Sequence, residues 1–323
     1  MFTLRFDMRA PDFGAPARDL YAASLEMAAW AEEKGCLAIQ VSEHHGSADG
    51  YCPAPLLLAS AIAARTQRLP IQVAALVLPL HDPIELAEQM AVLDLLSGGR
   101  VSYVVAIGYV EAEFAMFGRA MRGRGARLEE AVDLLRRAWT GEPFEYEGRT
   151  ARVTPRPATE GGPLLLMGGG VPASARRAAR LGLGMLAMGH APELETIYRE
   201  ACAAEGRTPG LFIHPPPGAA LSAFVARDPD AAWAAWGPYL LHDARAYAAW
   251  MGDTIDSATR SAAQSVEALR DARGSYRIFS PDEALAEIRE RGWLALQPLC
   301  GGLPVEYAWE SLETLASDVL PRL

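Results

Sequence analysis

Short apolar runs alternate with amphipathic segments along most of the chain. "FTLRFDM" (residues 2–8) predicts a first strand. Leu20, Ala23, Met27 and Ala31 then mark one face of a helix over about 17–34, with Gly35 placed to end it. "LAIQVS" (37–42) reads as strand two, "APLLLASAIAART" (54–66) as helix two and "IQVAALVL" (71–78) as strand three. Asp82, Pro83 and Glu85 open a third helix as a capping box, with Asp82 as cap and Glu85 reaching back, and "SGG" (97–99) closes it. "RVSYVVAIG" (100–108) is strand four, and "GARLEEAVDLLRRAW" (125–139) has the helical period.

The rhythm breaks at 140–163, where Gly, Pro and β-formers predict a hairpin excursion. "LLLM" (164–167) resumes as strand five, leading through Gly168, Gly169 and Gly170 into the helix "PASARRAARLG". "GMLAM" (184–188) is strand six, followed by a helix near 192–205, and "GAALSAFVA" (218–226) is strand seven. A Trp- and Ala-rich helical stretch and a polar segment follow, and the second insertion is placed near 250–278. Ser280, Pro281 and Glu283 form another capping box for a helix ending at Gly292. "WLALQPL" (293–299) is strand eight and 306–320 the last helix. This alternation predicts an α/β fold of (β/α)8 TIM-barrel type, one domain over 1–323, with insertions near 140–163 and 250–278. No glycine pattern follows the first strand, which argues against a dinucleotide-binding open sheet.

Composition narrows the function. Half of the 323 residues are hydrophobic, and the formal net charge is −10 without a basic tract, so nucleic acid is not an expected partner. Cys36, Cys52, Cys202 and Cys300 match no zinc or redox spacing and suit a reducing compartment. The start "MFTLRFDMRA" is too short and too charged for a signal peptide to be expected, and no apolar run reaches a membrane-spanning length of about 18 residues. A cytoplasmic chain with no membrane partner is expected.

In a barrel, residues just past the strand ends face the active site, and Glu43, His44 and His45 fall there. Histidine is the commonest base near neutral pH, although a strand-end histidine that only bonds loop backbone fits the same position. Adjacent side chains diverge on extended backbone, and His81, His190, His214 and His242 form no spaced ligand motif, so no metal is assigned. The glycine turn 168–170 opens a helix whose N–H groups suit a phosphate, with Ser174 offering a hydroxyl; a tight strand–helix turn explains the same glycines. Gly108 and Tyr109 end strand four, where a flat ligand or ordinary loop packing fits. No G-x-S-x-G nucleophile elbow occurs.

Several segments together carry a resemblance. "VSEHHGSADGY", "VAALVLPLHDPIELAEQMAVLDLLSGGRVSYVVAIGY", "EFAMFGRAMRGRGARLEEAVDLLRRAWTGEPFEYEGR" and "GGGVPASARRAARLG" occur in the order seen in bacterial-luciferase-like flavin monooxygenases. The ending "LQPLCGGLPVEYAWESLETLASDVLP" is also similar to members of that group. The resemblance implies a barrel that takes up diffusible reduced FMN from a separate flavin reductase. With dioxygen, by way of a flavin peroxide, such an enzyme oxygenates a small apolar organic substrate. The alternatives are a deazaflavin coenzyme with hydride transfer, or a non-catalytic flavin-binding relative. His44 matches the catalytic histidine of the family's "EHH" motif, with Glu43 and His45 lining the pocket. Ala74 and Ala75 match a pair joined by a non-prolyl cis peptide beneath the flavin ring. Ala106, Gly108, Tyr109, Gly168, Gly169, Gly170 and Ser174 are the further cofactor-binding candidates, and His190 and Trp250 are possible pocket residues. Ala106 stands where luciferase has a reactive cysteine, and Ile107 replaces a phosphate-binding arginine, which shifts that task to the glycine turn and Ser174. A homodimer is the oligomer that the resemblance implies.

Overall fold

The computed structural model describes residues 1–323 except 253, 254 and 256. β1 (Phe2–Phe6), α1 (Ala17–Glu33) and β2 (Ile39–Val41) open the chain, followed by α2 (Pro55–Arg65), β3 (Ile71–Val77), α3 (Pro83–Ser97) and β4 (Val101–Ala106). Then come α4 (Glu111–Met116), α5 (Arg124–Ala138), the short strands β5 (Phe144–Tyr146) and β6 (Arg149–Ala151), and β7 (Leu165–Gly169). α6 (Pro172–Leu181), β8 (Gly184–Ala187), α7 (Pro192–Ala204) and β9 (Phe212–Ile213) continue the alternation. β10 (Ser222–Val225), α8 (Pro229–Met251), α9 (Val266–Asp271), β11 (Tyr276–Phe279), α10 (Pro281–Arg291), β12 (Leu294–Leu296) and α11 (Val305–Thr314) complete it.

The chain divides into two compact units, residues 1–53 with 215–323, and residues 54–214. In the first unit five parallel strands run in the order β11-β10-β12-β1-β2, with Leu4 opposite Ile39 and Leu296. In the second, the parallel order is β3-β4-β7-β8-β9, with Val77 opposite Ala106. Parallel strands covered on both faces read as nearly continuous apolar runs, and "VSYVVA" of β4 is of that kind. The excursion at 140–163 contains the antiparallel hairpin β5–β6. Thr159 beyond it is tied to Asp94 of α3 by its N–H at 2.7 Å and its hydroxyl at 2.9 Å.

Capping chemistry sets several helix ends. Ser280 and Glu283 exchange both capping-box hydrogen bonds at α10, as their spacing predicts. At α3 the box is only half made. Asp82 accepts from the N–H groups of Ile84 and Glu85, whereas the Glu85 carboxylate accepts instead from Gln89 Nε2 at 3.1 Å. A glutamate four residues before an amide donor has a side-chain partner on its own helix face, which competes with reaching back.

Three elements depart from the expected pattern. α4 and β9 are six and two residues long, too short to show a period. β11 begins inside the expected second insertion, of which residues 253, 254 and 256 lie outside the described residues. Its "YRIF" interrupts the apolar run with Arg277, whose guanidinium lies over the Phe279 ring at 4.7 Å. The segment ending at residue 278 is therefore partly sheet: Ser222–Val225 pairs in parallel with Tyr276–Phe279. Among the described residues no helix is long and apolar enough to cross a membrane.

Candidate active site

The loop after β2 begins in the core of the first unit, where Ser42, Glu43 and His44 are buried and His45 is half-buried. The His44 N–H donates to the Cys52 carbonyl at 3.2 Å, closing the loop on itself. The two histidines part as extended backbone requires. His45 Nε2 is hydrogen-bonded to Glu43 Oε1 at 2.8 Å. His44 instead enters an aromatic cluster, with the Trp250 ring 4.1 Å away at 33° and the Tyr51 ring edge-on at 4.9 Å. Glu43 and His45 thus form their own pair, and His44 and Trp250 are brought together.

Beneath these rings lies a buried charge cluster that sequence reasoning missed. Arg9, fully buried three residues past β1, donates from Nε to Asp243 at 2.8 Å and from Nη1 to Asp49 at 2.6 Å. Its guanidinium carbon lies 4.8 Å from the Tyr51 ring centre, 5.0 Å from Tyr247 and 4.4 Å from Trp250. The Tyr51 and Tyr247 hydroxyls are 2.8 Å apart. Asp243, Tyr247 and Trp250 recur at i, i+4 and i+7 along one face of α8, so a single helix supplies a carboxylate and two of the rings. That pattern, and the charged residues within "LRFDMR", are the signals available in the chain.

Charge in the cluster is unevenly held. Asp7 accepts from Gln297 Nε2 at 2.6 Å, and burial, then the neighbouring Asp243, pushes its carboxyl up to about 8. Burial alone would raise Asp243 too, but Arg9 and Arg5 outweigh it and hold that carboxyl below its usual range. At Asp49 the burial effect is overcome by hydrogen bonding to His242 and by Arg9, and the carboxyl is held well below the usual range. Burial pushes Tyr247 up to about 12, so its hydroxyl stays protonated at neutral pH.

The second unit carries the other candidates. The Ala74–Ala75 peptide bond is cis and not followed by proline, as the resemblance implies. Ala74, Ala75 and Ala106 are half-buried on the paired strands β3 and β4, while Val73, Leu76, Val104 and Val105 are buried. The three methyl side chains are small and partly exposed, with Ala74 registered opposite Val104 and Ala106 opposite Val77. Ile107 and Tyr109 are half-buried just beyond Ala106 in sequence. Gly108 is required by packing: its φ is +75°, and a Cβ would lie 2.7 Å from Val77 and 2.8 Å from Phe114. At the glycine turn Gly168 is buried, Gly169 half-buried and Gly170 exposed. Ser174 is buried and bonded within its own turn, donating to the Val171 carbonyl at 2.6 Å and accepting from the Val171 N–H at 3.3 Å. His190 is exposed, with its ring 4.9 Å from that of His214 and tilted by 42° to it.

Comparison with known proteins follows this geometry. The chain is 30% identical over 175 residues to 4-hydroxyprotoasukamycin monooxygenase of Streptomyces nodosus subsp. asukaensis, covering 52% of this chain and 47% of that protein. It is 32% identical over 215 residues to an F420-dependent glucose-6-phosphate dehydrogenase of Nocardia farcinica, covering 63% and 62%. The chain thus spans less than two-thirds of the length of these curated relatives. Among solved structures, monooxygenase RslO1 from Streptomyces bottropensis superposes with a TM-score of 0.79 at 25% identity, over 100% of this chain and 99% of that one. The full-length likeness shows the expected α/β fold, whose relatives are luciferase-like TIM barrels. The family model for luciferase-like monooxygenase matches residues 6–292. The chain therefore belongs to the luciferase-like monooxygenase family, a family of oxidoreductases.

Proposed function

We propose that this protein is a flavin-dependent monooxygenase that uses reduced FMN, supplied by a separate reductase, and dioxygen to oxygenate a small apolar organic substrate. The observation that carries the reading is the placement of His44: in a chain of this family, the "EHH" imidazole is buried at a strand end, walled by Trp250 and Tyr51. The flavin supplies the redox chemistry when bound. Ala74, Ala75 and Ala106, small and half-buried, are the residues that would lie against a flat ring. Gly170 and the start of α6 offer backbone to a phosphate, while the Ser174 hydroxyl is already engaged with Val171. His44 holds or moves a proton at its imidazole, and the surrounding rings exclude water from it.

A second reading, an F420-dependent oxidoreductase working by hydride transfer, is favoured by the longer match to the Nocardia farcinica dehydrogenase. Parallel titrations with FMN and F420, followed by oxygen uptake with a flavin reductase and a substrate panel, test both. Reduced-FMN-dependent oxygen uptake coupled to product supports the oxygenase. Tight F420 binding with no response to reduced FMN overturns it in favour of the second reading.

A further inference from the structure

Arg9 is buried without any exposed surface, yet among the described residues its Nη2 has no hydrogen-bond partner, while Nε and Nη1 are taken by Asp243 and Asp49. An unpaired buried guanidinium N–H is costly, and such groups normally meet an acceptor. Of the three rings around the guanidinium, Tyr51 and Tyr247 are buried and tied together through their hydroxyls. Trp250 is half-buried, and it is also the ring lying across His44. It is thus the wall shared by the imidazole and the guanidinium, and the most exposed of the three rings. We propose that Arg9 and Trp250 form an acceptor subsite, in which a neutral planar carbonyl substrate displaces the Trp250 ring, lies against His44 and accepts a hydrogen bond from Arg9 Nη2.

Planarity follows from what is displaced, since a ligand that replaces an indole must fill a flat slot with comparable stacking surface. Neutrality follows from the charges already present. Arg5 and Arg9 face the ionised Asp49 and Asp243, which balances the cluster. Asp7 keeps its proton up to about 8 because burial and Asp243 oppose another negative charge there. An incoming carboxylate meets the same opposition, whereas a carbonyl oxygen accepts from Nη2 without adding charge. The assignment rests on the oxygenase reading only in calling the ligand a substrate.

Isothermal titration calorimetry with 2-acetylnaphthalene, 2-naphthoate and 2-ethylnaphthalene tests it directly, with no turnover required. The ketone should bind about tenfold or more tighter than either the carboxylate or the hydrocarbon, the margin of one charge-assisted hydrogen bond. Trp250→Ala should tighten ketone binding and preserve the ketone-to-hydrocarbon ratio, because the ligand no longer has to expel the indole. Arg9→Lys should reduce that ratio to about twofold or less, since an ammonium lacks the planar fork. If Arg9→Lys fails to fold, the wild-type ratio and the Trp250→Ala arm still decide. Equal affinity for ketone and hydrocarbon, or a tenfold loss of ketone binding in Trp250→Ala, overturns the subsite. If saturating FMN abolishes ketone binding and Arg9→Lys weakens FMN itself, the acceptor belongs to the cofactor ring and the substrate assignment falls. Ketone selectivity without affinity for FMN or F420 defeats the oxygenase reading while leaving the subsite standing.

Discussion

Arg9 and Asp243, separated by 234 positions in the chain, meet through a 2.8 Å hydrogen bond in which neither side chain has any exposed surface. The contact fastens the segment after β1 to the middle of α8, within the unit that carries His44. A buried ion pair is weak evidence of net stabilisation, but removing one partner strands the other in a medium that cannot solvate it. Arg9→Met should therefore destabilise the protein by about 3–5 kcal/mol. Urea denaturation checks this, and a loss under 1 kcal/mol would show that the carboxylates find other partners.

The carboxyl of Asp7 gives the stability a pH signature. Its value of about 8 in the folded protein lies above the 3.8 of an unperturbed aspartate. The unfolded chain therefore releases this proton first, and the stabilisation present below about pH 4 is lost as pH rises toward 8. In Asp7→Asn that loss is absent. The melting temperature of the variant minus that of the wild type should increase steadily between those limits. A difference that is flat with pH would show that Asp7 does not hold this proton in the folded protein.

His44→Ala should leave FMN affinity nearly unchanged and lower coupled product formation by about a hundredfold or more, the usual contribution of a positioned acid–base group. The comparison is product formed per reduced flavin oxidised. Unchanged turnover would remove the imidazole from proton handling.

At α3, Asp82→Ala should cost about 1 kcal/mol, because two backbone N–H groups lose their acceptor. Glu85→Ala should stay within about 0.5 kcal/mol, since Glu85 bonds an exposed Gln89 side chain rather than the helix end. Thermal melts of both variants separate a single cap from a reciprocal box.

Elements with a clear period or a strong cap, such as α1, α5 and α10, were legible because local chemistry decides them. β11 was not, since its β-formers span only four residues, are broken by Arg277, and are fixed as a strand by pairing with β10. The same division runs through the site. His44 and the alanine pair were visible through local motifs, and the aromatic setting of His44 depends on a helix two hundred residues further on. Arg9 was hidden because an arginine beside a strand ordinarily points to solvent. Only the meeting of Asp49, Asp243 and three rings makes its burial tolerable. At Gly108 the missing side chain answers to Val77 and Phe114, a packing demand that the local motif does not display.

The spacing of Asp243, Tyr247 and Trp250 makes α8 a ruler as well as a wall. Each added residue would turn everything beyond it by about 100° and advance it by about 1.5 Å. One insertion between Asp243 and Trp250 would leave the anchor seated while swinging the indole to another side of the helix. Substitutions on the opposite face, at Arg245 or Ala249, leave that alignment intact. Among proteins that share this arrangement, the interval between carboxylate and indole should hold its length while its outward residues drift.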